Sequence, residues 1–459
     1  MFFRSCFDSN LAQFSYIVGC QKTGEAIVID PARDVHQYHE IAKAEGLKIT
    51  AATETHIHAD FVSGARELGQ QDVQLYLSNE GGTDWSYQYE TKKKAVLLKD
   101  GDQFYVGNVR FDVVHTPGHT PEHISFILTD EGGGSKVPMG IFTGDFVFVG
   151  DVGRPDLLEK AAGIEGTATN GATQMFHSLE RFRNLPDYLQ VWPGHGAGSA
   201  CGKSLGAVPM STVGYEKQNN WALMIEDESR FVEELLSGQP EPPRYFAMMK
   251  HVNKVGPAII GETTPLPHQT ELQEKYVILD VRPANLYRKG YAKGTLNIPF
   301  NKSFANWAGW LLPYDQDILL IASPDQVDAV RTALQSIGID RVIGYVDVDE
   351  LSFPEHYPEI DTTELQEKLD EETVYLIDVR NQSEWEAGHI EGAHHLMLGN
   401  LEKEMQRIPR DKPIVMQCQS GARSSIATSL MKRAGFENVY NLKGGYQAWK
   451  TADKPVVQS

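Results

Sequence analysis

The stretch Thr55-His56-Ile57-His58-Ala59-Asp60-Phe61 constrains this chain more than any other. It follows a run that reads as a strand, Ile49 to Thr53. In extended backbone the side chains at i, i+2 and i+4 share one face, so His56, His58 and Asp60 can converge on one point in space. Three later loops, each punctuated by glycine, carry the complement: Thr116-Pro117-Gly118-His119, Thr143-Gly144-Asp145 and Pro193-Gly194-His195. Four loops thus feed one site, and the side chains they bring are metal ligands.

The order, spacing and glycine context of these loops resemble the metallo-β-lactamase superfamily over roughly the first half of the chain. The resemblance implies an αββα sandwich with metals at one edge of two packed sheets. The superfamily's usual motif is His-x-His-x-Asp-His, and here Phe61 stands where the last histidine would be. By resemblance, the first metal position takes His56, His58 and His119 with Asp145, and the second takes Asp60, the missing histidine, Asp145 and His195. An aromatic ring offers a cation no lone pair, so the substitution argues for one metal rather than a dinuclear zinc centre. Two histidines and one carboxylate with open positions form the facial arrangement of non-haem Fe(II) oxygenases. Persulfide dioxygenases are the branch of the superfamily that looks like this. The resemblance assigns mononuclear Fe(II), with Zn as the alternative, to His56, His119 and Asp145. It leaves His58, Asp60 and His195 as alternative ligands or as residues that orient the ligands and water.

Gly150-Asp151-Val152-Gly153-Arg154-Pro155-Asp156 resembles an element of the same branch, in which Arg154 and Asp156 frame the site or brace their own loop. In Gly194-His195-Gly196-Ala197-Gly198-Ser199-Ala200-Cys201-Gly202-Lys203, glycines let backbone N–H groups approach a ligand, and Lys203 adds charge for an anionic substrate. Cys201 reads as a substrate-side thiol or a buried structural one. Cys20, in the turn between the opening strands, is a weaker candidate, kept because the resemblance puts that loop on the metal-facing side.

Length and charge narrow the partners. At 459 residues the chain suits about three domains. Its net charge of 42 − 62 = −20 repels nucleic acid and anionic membranes, so neither is expected as a partner. There is no apolar run of about 18 residues, and the start lacks a basic segment followed by an apolar core, so the chain reads as cytoplasmic. The four cysteines, at positions 6, 20, 201 and 418, have no paired spacing and read as separate thiols rather than a disulfide framework.

The second half contains a repeat. Tyr276-Val277-Ile278-Leu279-Asp280-Val281-Arg282 is echoed by Val374-Tyr375-Leu376-Ile377-Asp378-Val379-Arg380, and Leu319-Leu320-Ile321 by Val415-Met416-Gln417. Alternating strands and helices imply a small parallel sheet in each copy. Both copies resemble rhodanese domains, the second closely, through Trp385-Glu386-Ala387-Gly388-His389 and Gly444-Gly445-Tyr446-Gln447-Ala448-Trp449. In that copy Cys418-Gln419-Ser420-Gly421-Ala422-Arg423 lies between a strand and a helix. Such a loop turns backbone N–H groups inward at a helix N-terminus, and Arg423 closes it with fixed charge, which favours a thiolate nucleophile at Cys418. The first copy has Ala322 opposite Cys418 and Val327 opposite Arg423, so it reads as a catalytically dead spacer or dimerisation module.

The expected fold class is therefore α/β, with a metallo-β-lactamase-like domain at 1–240, a linker at 241–267, a rhodanese-like domain without the cysteine at 268–358, and a rhodanese domain at 359–459. The combination resembles fusions of persulfide dioxygenase and sulfurtransferase in sulfide detoxification. The resemblance implies a low-molecular-weight thiol persulfide, O2 and sulfite or thiosulfate as partners, and a homo-oligomer, dimer or tetramer. A zinc-dependent thioester hydrolase of glyoxalase II type remains a rival expectation. So does a thiosulfate sulfurtransferase with a non-catalytic N-terminal domain.

Overall fold

Two six-stranded sheets carry the N-terminal unit of the computed structural model, which describes residues 1–157, 159, 166–203, 205–239, 241–261 and 264–458. The first sheet runs β1 (Phe2–Asp8), β2 (Gln13–Cys20), β3 (Glu25–Ile29), β4 (Lys48–Thr53), β5 (Gln74–Ser78) and β6 (Val96–Leu98) in spatial order. The second is ordered β12 (Ser211–Thr212), β11 (Gln190–Pro193), β10 (Gly140–Gly144), β9 (Ile124–Asp130), β8 (Val109–His115) and β7 (Gln103–Val106). Strand alternation decides which residues meet. Tyr16 and Val18 join Phe111, Phe126, Phe142 and Trp192 in the core between the sheets, while Ile17 points outward to the layer of Tyr38 and Ala42 in the helix His36–Ala44. On the far face, Ile141 and Val191 pack on Ala172, Met175 and Leu179 of the helix Thr167–Arg183. The layers are helix, sheet, sheet, helix, as expected.

Strand direction positions the site. β3 pairs parallel with β4, and β10 parallel with β11, so the loops that follow them leave each sheet at one edge. Asp30, His56, Asp145 and His195 all follow these four strands. The stretch Val96 to Val114, which with Gly101-Asp102 and Gly107-Asn108 as turns reads as a hairpin, divides instead: β6 completes the first sheet, and the chain turns through Gly101, at φ 82°, into the β7–β8 hairpin of the second. The stretch Tyr215 to Leu236, which reads as helical segments, holds the helices Val213–Asn219 and Glu228–Leu236, the second begun where the Asp227 side chain accepts the Arg230 N–H. Pro240, the expected boundary, lies outside the described residues.

The segment 241–267 reads as a linker with one short helix, Arg244 to Val252; the helix is there, and its role as mere linker needs correction. This segment holds the helix Tyr245–Val255, whose buried Asn253 donates to the carbonyls of His58 (2.8 Å) and Phe61 (2.7 Å) and accepts from the Ser63 N–H (2.9 Å). Three hydrogen bonds to the backbone of the histidine motif make the helix part of the N-terminal unit, Met1–Thr263 with Gln335–Gly338.

The second unit comprises Thr264–Leu334 and Ile339–Ser459. It contains a four-stranded sheet ordered β14 (Leu296–Asn297), β13 (Val277–Asp280), β15 (Ile318–Ala322), β16 (Val342–Asp347). A five-stranded sheet is ordered β17 (Glu359–Ile360), β22 (Val439–Leu442), β21 (Ile414–Gln417), β18 (Tyr375–Asp378), β20 (His394–His395). All pairings within both are parallel. Among the described residues, no helix is long and apolar enough to cross a membrane.

Candidate metal centre and thiol loop

The metal centre begins at Asp30, held at φ 49° in the turn after β3. Its carboxylate accepts the Thr55 N–H (2.7 Å) and hydroxyl (2.9 Å), which fixes the start of the histidine loop, and also meets Nε2 of His58 at 3.1 Å. His58 is thus tied to Asp30 through one ring nitrogen. Burial alone would lower its pKa, but Asp30, Glu54 and Asp60 raise it to about 9. His56, His119 and Asp145 converge instead: their ligand atoms lie within 4.8 Å of one another, with Nε2 of His119 at 3.5 Å and Nε2 of His56 at 3.9 Å from Oδ2 of Asp145. Burial pushes both imidazoles below their ordinary pKa, toward the neutral form that donates a lone pair. Nδ1 of His119 lies 2.8 Å from the Arg154 carbonyl, and as its donor leaves Nε2 free to bind an ion. Gly144 brings Asp145 into place. At φ 48°, it sits where a Cβ would lie 2.3 Å from the Thr55 hydroxyl.

The test of fit is the polar atoms left over. Nε2 of His56 and both Asp145 oxygens are buried without a hydrogen-bond partner among the described residues. Orphaned buried acceptors are costly unless something satisfies them, and a cation does. The residues fit a metal.

A second group stands beside the first. Asp60, His195 and Cys201 also bring ligand atoms within 4.8 Å of one another, and Nε2 of His195 lies 3.1 Å from Asp60 and 3.4 Å from Asp145. Both Asp60 oxygens lack hydrogen-bond partners among the described residues. The Cys201 thiol is pushed well up by burial and, in the same direction, by Asp60 and Asp145. Phe61 is buried, its ring 4.4 Å from that of His58, and supplies no ligand.

Other candidates separate from the site. Cys20 is the last residue of β2, whose first residue, Gln13, bridges to His195. At about 3.4 Å per residue the thiol is some 24 Å away along the strand, packed in the inter-sheet core, which corrects its assignment to the metal-facing side. Lys203 bonds to the Glu234 carbonyl and lies 5.2 Å from the Trp221 ring, so its charge serves that helix rather than a substrate. Arg154 and Asp156 form a buried bidentate pair at 2.7 and 2.8 Å, and that brace fixes the carbonyl holding His119. Sequence reasoning missed Asp30, Glu54 and Glu122. Burial raises both glutamates to about 7.

In the second unit, Cys418 directly follows β21 and is buried. Its Sγ receives the Gly421 N–H at 3.2 Å and the Ser424 hydroxyl at 3.3 Å. Gly445, at φ 58°, lets the next helix approach: a Cβ there would sit 2.2 Å from the Cys418 carbonyl, which instead accepts the Tyr446 N–H at 2.7 Å. The Arg423 guanidinium is engaged by Glu384, at 2.6 and 2.7 Å, so it closes the loop through an ion pair rather than standing open to an anion.

A buried His-His-Asp group at the edge of an αββα sandwich, with a thiol loop on a separate parallel sheet, defines a metalloenzyme class fused to a sulfur-handling module. Residues 9–195 match the metallo-beta-lactamase superfamily and residues 361–452 the rhodanese-like domain. The chain belongs to the metallo-β-lactamase superfamily in its N-terminal part and carries a C-terminal rhodanese domain. It is similar to the crystal structure of a metallo-beta-lactamase from Staphylococcus aureus subsp. aureus COL, at 48% identity and TM-score 0.70, over 76% of this chain and 99% of that one. It is 28% identical to the mitochondrial persulfide dioxygenase ETHE1 of Bos taurus, over 42% of this chain and 67% of that protein. It is 33% identical to a hydroxyacylglutathione hydrolase of Gloeobacter violaceus, over 40% of this chain and 63% of that protein.

Proposed function

We propose that the chain oxidises a low-molecular-weight thiol persulfide with O2 and passes sulfane sulfur through Cys418. The observation that carries the reading is the His56-His119-Asp145 group, with Phe61 in place of a further imidazole, in one chain with the Cys418 loop. Similarity to a persulfide dioxygenase supports it. Iron(II) bound by these three residues would supply the one-electron chemistry that lets O2 react with sulfur. The balanced reaction is R–S–SH + O2 + H2O giving R–SH, sulfite and two protons, the terminal sulfur losing four electrons to oxygen. His56 and His119 supply neutral lone pairs, the Arg154 carbonyl holds the His119 ring, and Phe61 keeps that wall of the site apolar. At the second site the Cys418 thiolate takes the terminal sulfur of R–S–SH, releasing R–SH and leaving Cys418–S–SH. Sulfite then takes that sulfur as thiosulfate and restores the thiol.

Oxygen uptake on adding persulfide to anaerobically prepared, iron-loaded protein tests this, with sulfite and thiosulfate assayed together. We expect uptake to vanish in His119→Ala, and Cys418→Ser to accumulate sulfite without thiosulfate. No uptake with any persulfide would sink the reading. One observation favours a second: Asp60, His195 and Cys201 stand ready beside Asp145 to hold another ion, which suits a two-zinc thioester hydrolase. A second equivalent of zinc together with thioesterase turnover would establish it.

A further inference from the structure

The histidine loop hangs from one turn. Asp30 fixes its start through Thr55; at its far end the Gly64 N–H donates to the Pro31 carbonyl at 2.9 Å, and Ser63 bridges to Ala32. Arg33 is the next residue of that turn, and it is buried. Its guanidinium donates to the carbonyl of Gln335 at 2.7 Å and to that of Ala258 at 3.2 Å. Val62, which follows Phe61, donates its N–H to the Ser336 carbonyl at 2.7 Å. Gln335–Gly338 lies far along the chain but belongs to the N-terminal unit. Gln335 and Ser336 end the helix Val327–Ser336, and the last carbonyls of a helix have no partner inside it. A guanidinium suits them, because the C-terminal end of a helix carries partial negative charge. Gly338, at φ 78°, adds its own N–H to the Gln335 carbonyl at 2.9 Å.

Packing and a strap close the arrangement. A Cβ on Gly338 would lie 2.7 Å from Cε of Met249, in the helix Tyr245–Val255, and 3.4 Å from Cγ2 of Val62. Residues 256–261 run on from that helix and are gripped at both ends. Arg66 donates to the carbonyls of Gly256 at 3.1 Å and Pro257 at 2.5 Å, and the Glu67 carboxylate accepts the N–H groups of Ile260 at 2.9 Å and Gly261 at 3.0 Å. Arg33 holds the middle, at Ala258, so it ties the strap and the late segment to the turn at Asp30. A guanidinium bonded to two peptide carbonyls fixes the direction of both, because its N–H groups form a rigid planar fork.

We infer that Arg33 is a positioning residue of the histidine loop, and that Gln335–Gly338 completes the metal domain from within the repeat copy that has no thiol. The inference rests on His56, His119 and Asp145 holding a metal, but on no particular metal or reaction. Titration of the metal-free full chain with cobalt(II), followed by visible absorption, tests it, because the spectrum reports ligand geometry. We expect Arg33→Met to bind cobalt roughly ten- to a hundredfold more weakly and to keep an altered spectrum at saturation. Arg33→Lys, which restores the charge as a single point rather than a fork, recovers part of both. Gly338→Ala crowds Met249 without touching Arg33 and shifts the spectrum in the same sense. Alkylation of Cys418 at the wild-type rate shows that a variant is folded, and where Arg33→Met fails that check the lysine variant decides. A residue that only stabilised the fold would leave the saturated spectrum as in wild type. That spectrum, or wild-type affinity, in the Arg33 variants overturns the inference. A wild-type chain that binds no cobalt overturns the metal reading and the inference with it. Altered spectra in the variants, without oxygen uptake by the iron-loaded wild type, uphold the inference and sink the dioxygenase.

Discussion

The two parallel sheets of the second unit are copies that have kept one set of residues and differ in another. In the first, Asp280 and Arg282 pair at 2.6 Å, Arg282 donates to the Gly290 carbonyl at 3.0 Å, and its guanidinium covers the Phe353 ring. In the second, Asp378 and Arg380 pair at 2.7 Å, Arg380 donates to the Gly388 carbonyl at 2.8 Å, and Tyr446 takes the place of Phe353. Strand register extends the match. Asp280 stands opposite Ile321 and Asp378 opposite Gln417, so Ala322 and Cys418 occupy the same position. The bracket of aspartate, arginine and glycine carbonyl is therefore architecture, needed to tie a loop to the sheet whether or not chemistry follows. What one copy lacks is confined to the six-residue loop: the thiol, and the arginine that Glu384 anchors.

If the bracket is architectural, breaking it should damage both copies, and unequally. Asp378→Asn leaves Arg380, fully buried, without its counter-charge. We expect a loss of roughly 3–5 kcal/mol in chemical denaturation. Asp280→Asn should cost less, because Arg282 is 13% exposed and water can take over part of its solvation. Equal and negligible costs would show that the bracket holds nothing.

If the loop alone carries chemistry, loosening its anchor should lower activity at little cost in stability. Burial by itself would raise the Glu384 carboxyl, but the Arg423 hydrogen bonds and charge bring it below its ordinary value. A carboxyl lowered in the folded state stabilises above its unfolded pKa, near 4.3, and that contribution is lost as pH falls through the lower folded value. Glu384→Gln should therefore flatten the acid limb of the stability profile. Misplacing Arg423 should reduce sulfur transfer by roughly ten- to a hundredfold, and unchanged turnover would show that the ion pair is ornamental. The smallest effect is expected for Ala322→Cys in a Cys418→Ser background. Pro324 removes a backbone N–H from that loop and Val327 replaces the arginine, so transfer should stay at background, and measurable activity would mean that the thiol alone suffices.

The same contrast explains what could be read from the chain beforehand. His56, His119 and Asp145 sit in loops after strands, the last two marked by glycine, and it was the resemblance of that pattern to a known superfamily that brought the three together. Asp30 and Asn253 act on the His56 loop from positions remote in sequence, and nothing near them advertises that contact. Cys20 was misplaced because a two-strand turn looks alike at either end of a sandwich; only the direction of β2 decides. The helix Tyr245–Val255 was legible as a short helix from Arg244 to Val252, but proline, glycine and lysine around it read as linker, and its docking depends on one asparagine. Lys203 carried the right charge in the right loop, but its long side chain found Glu234 first.

The His119 ring is steered by the main-chain carbonyl of Arg154, not by a side chain. No single substitution can delete that acceptor, since every amino acid carries one. The orientation of a metal-facing imidazole is thus insulated from point mutation at its own partner. It becomes vulnerable one step away, at Asp156, where loss of the brace could let the peptide rotate while every ligand remains in the gene.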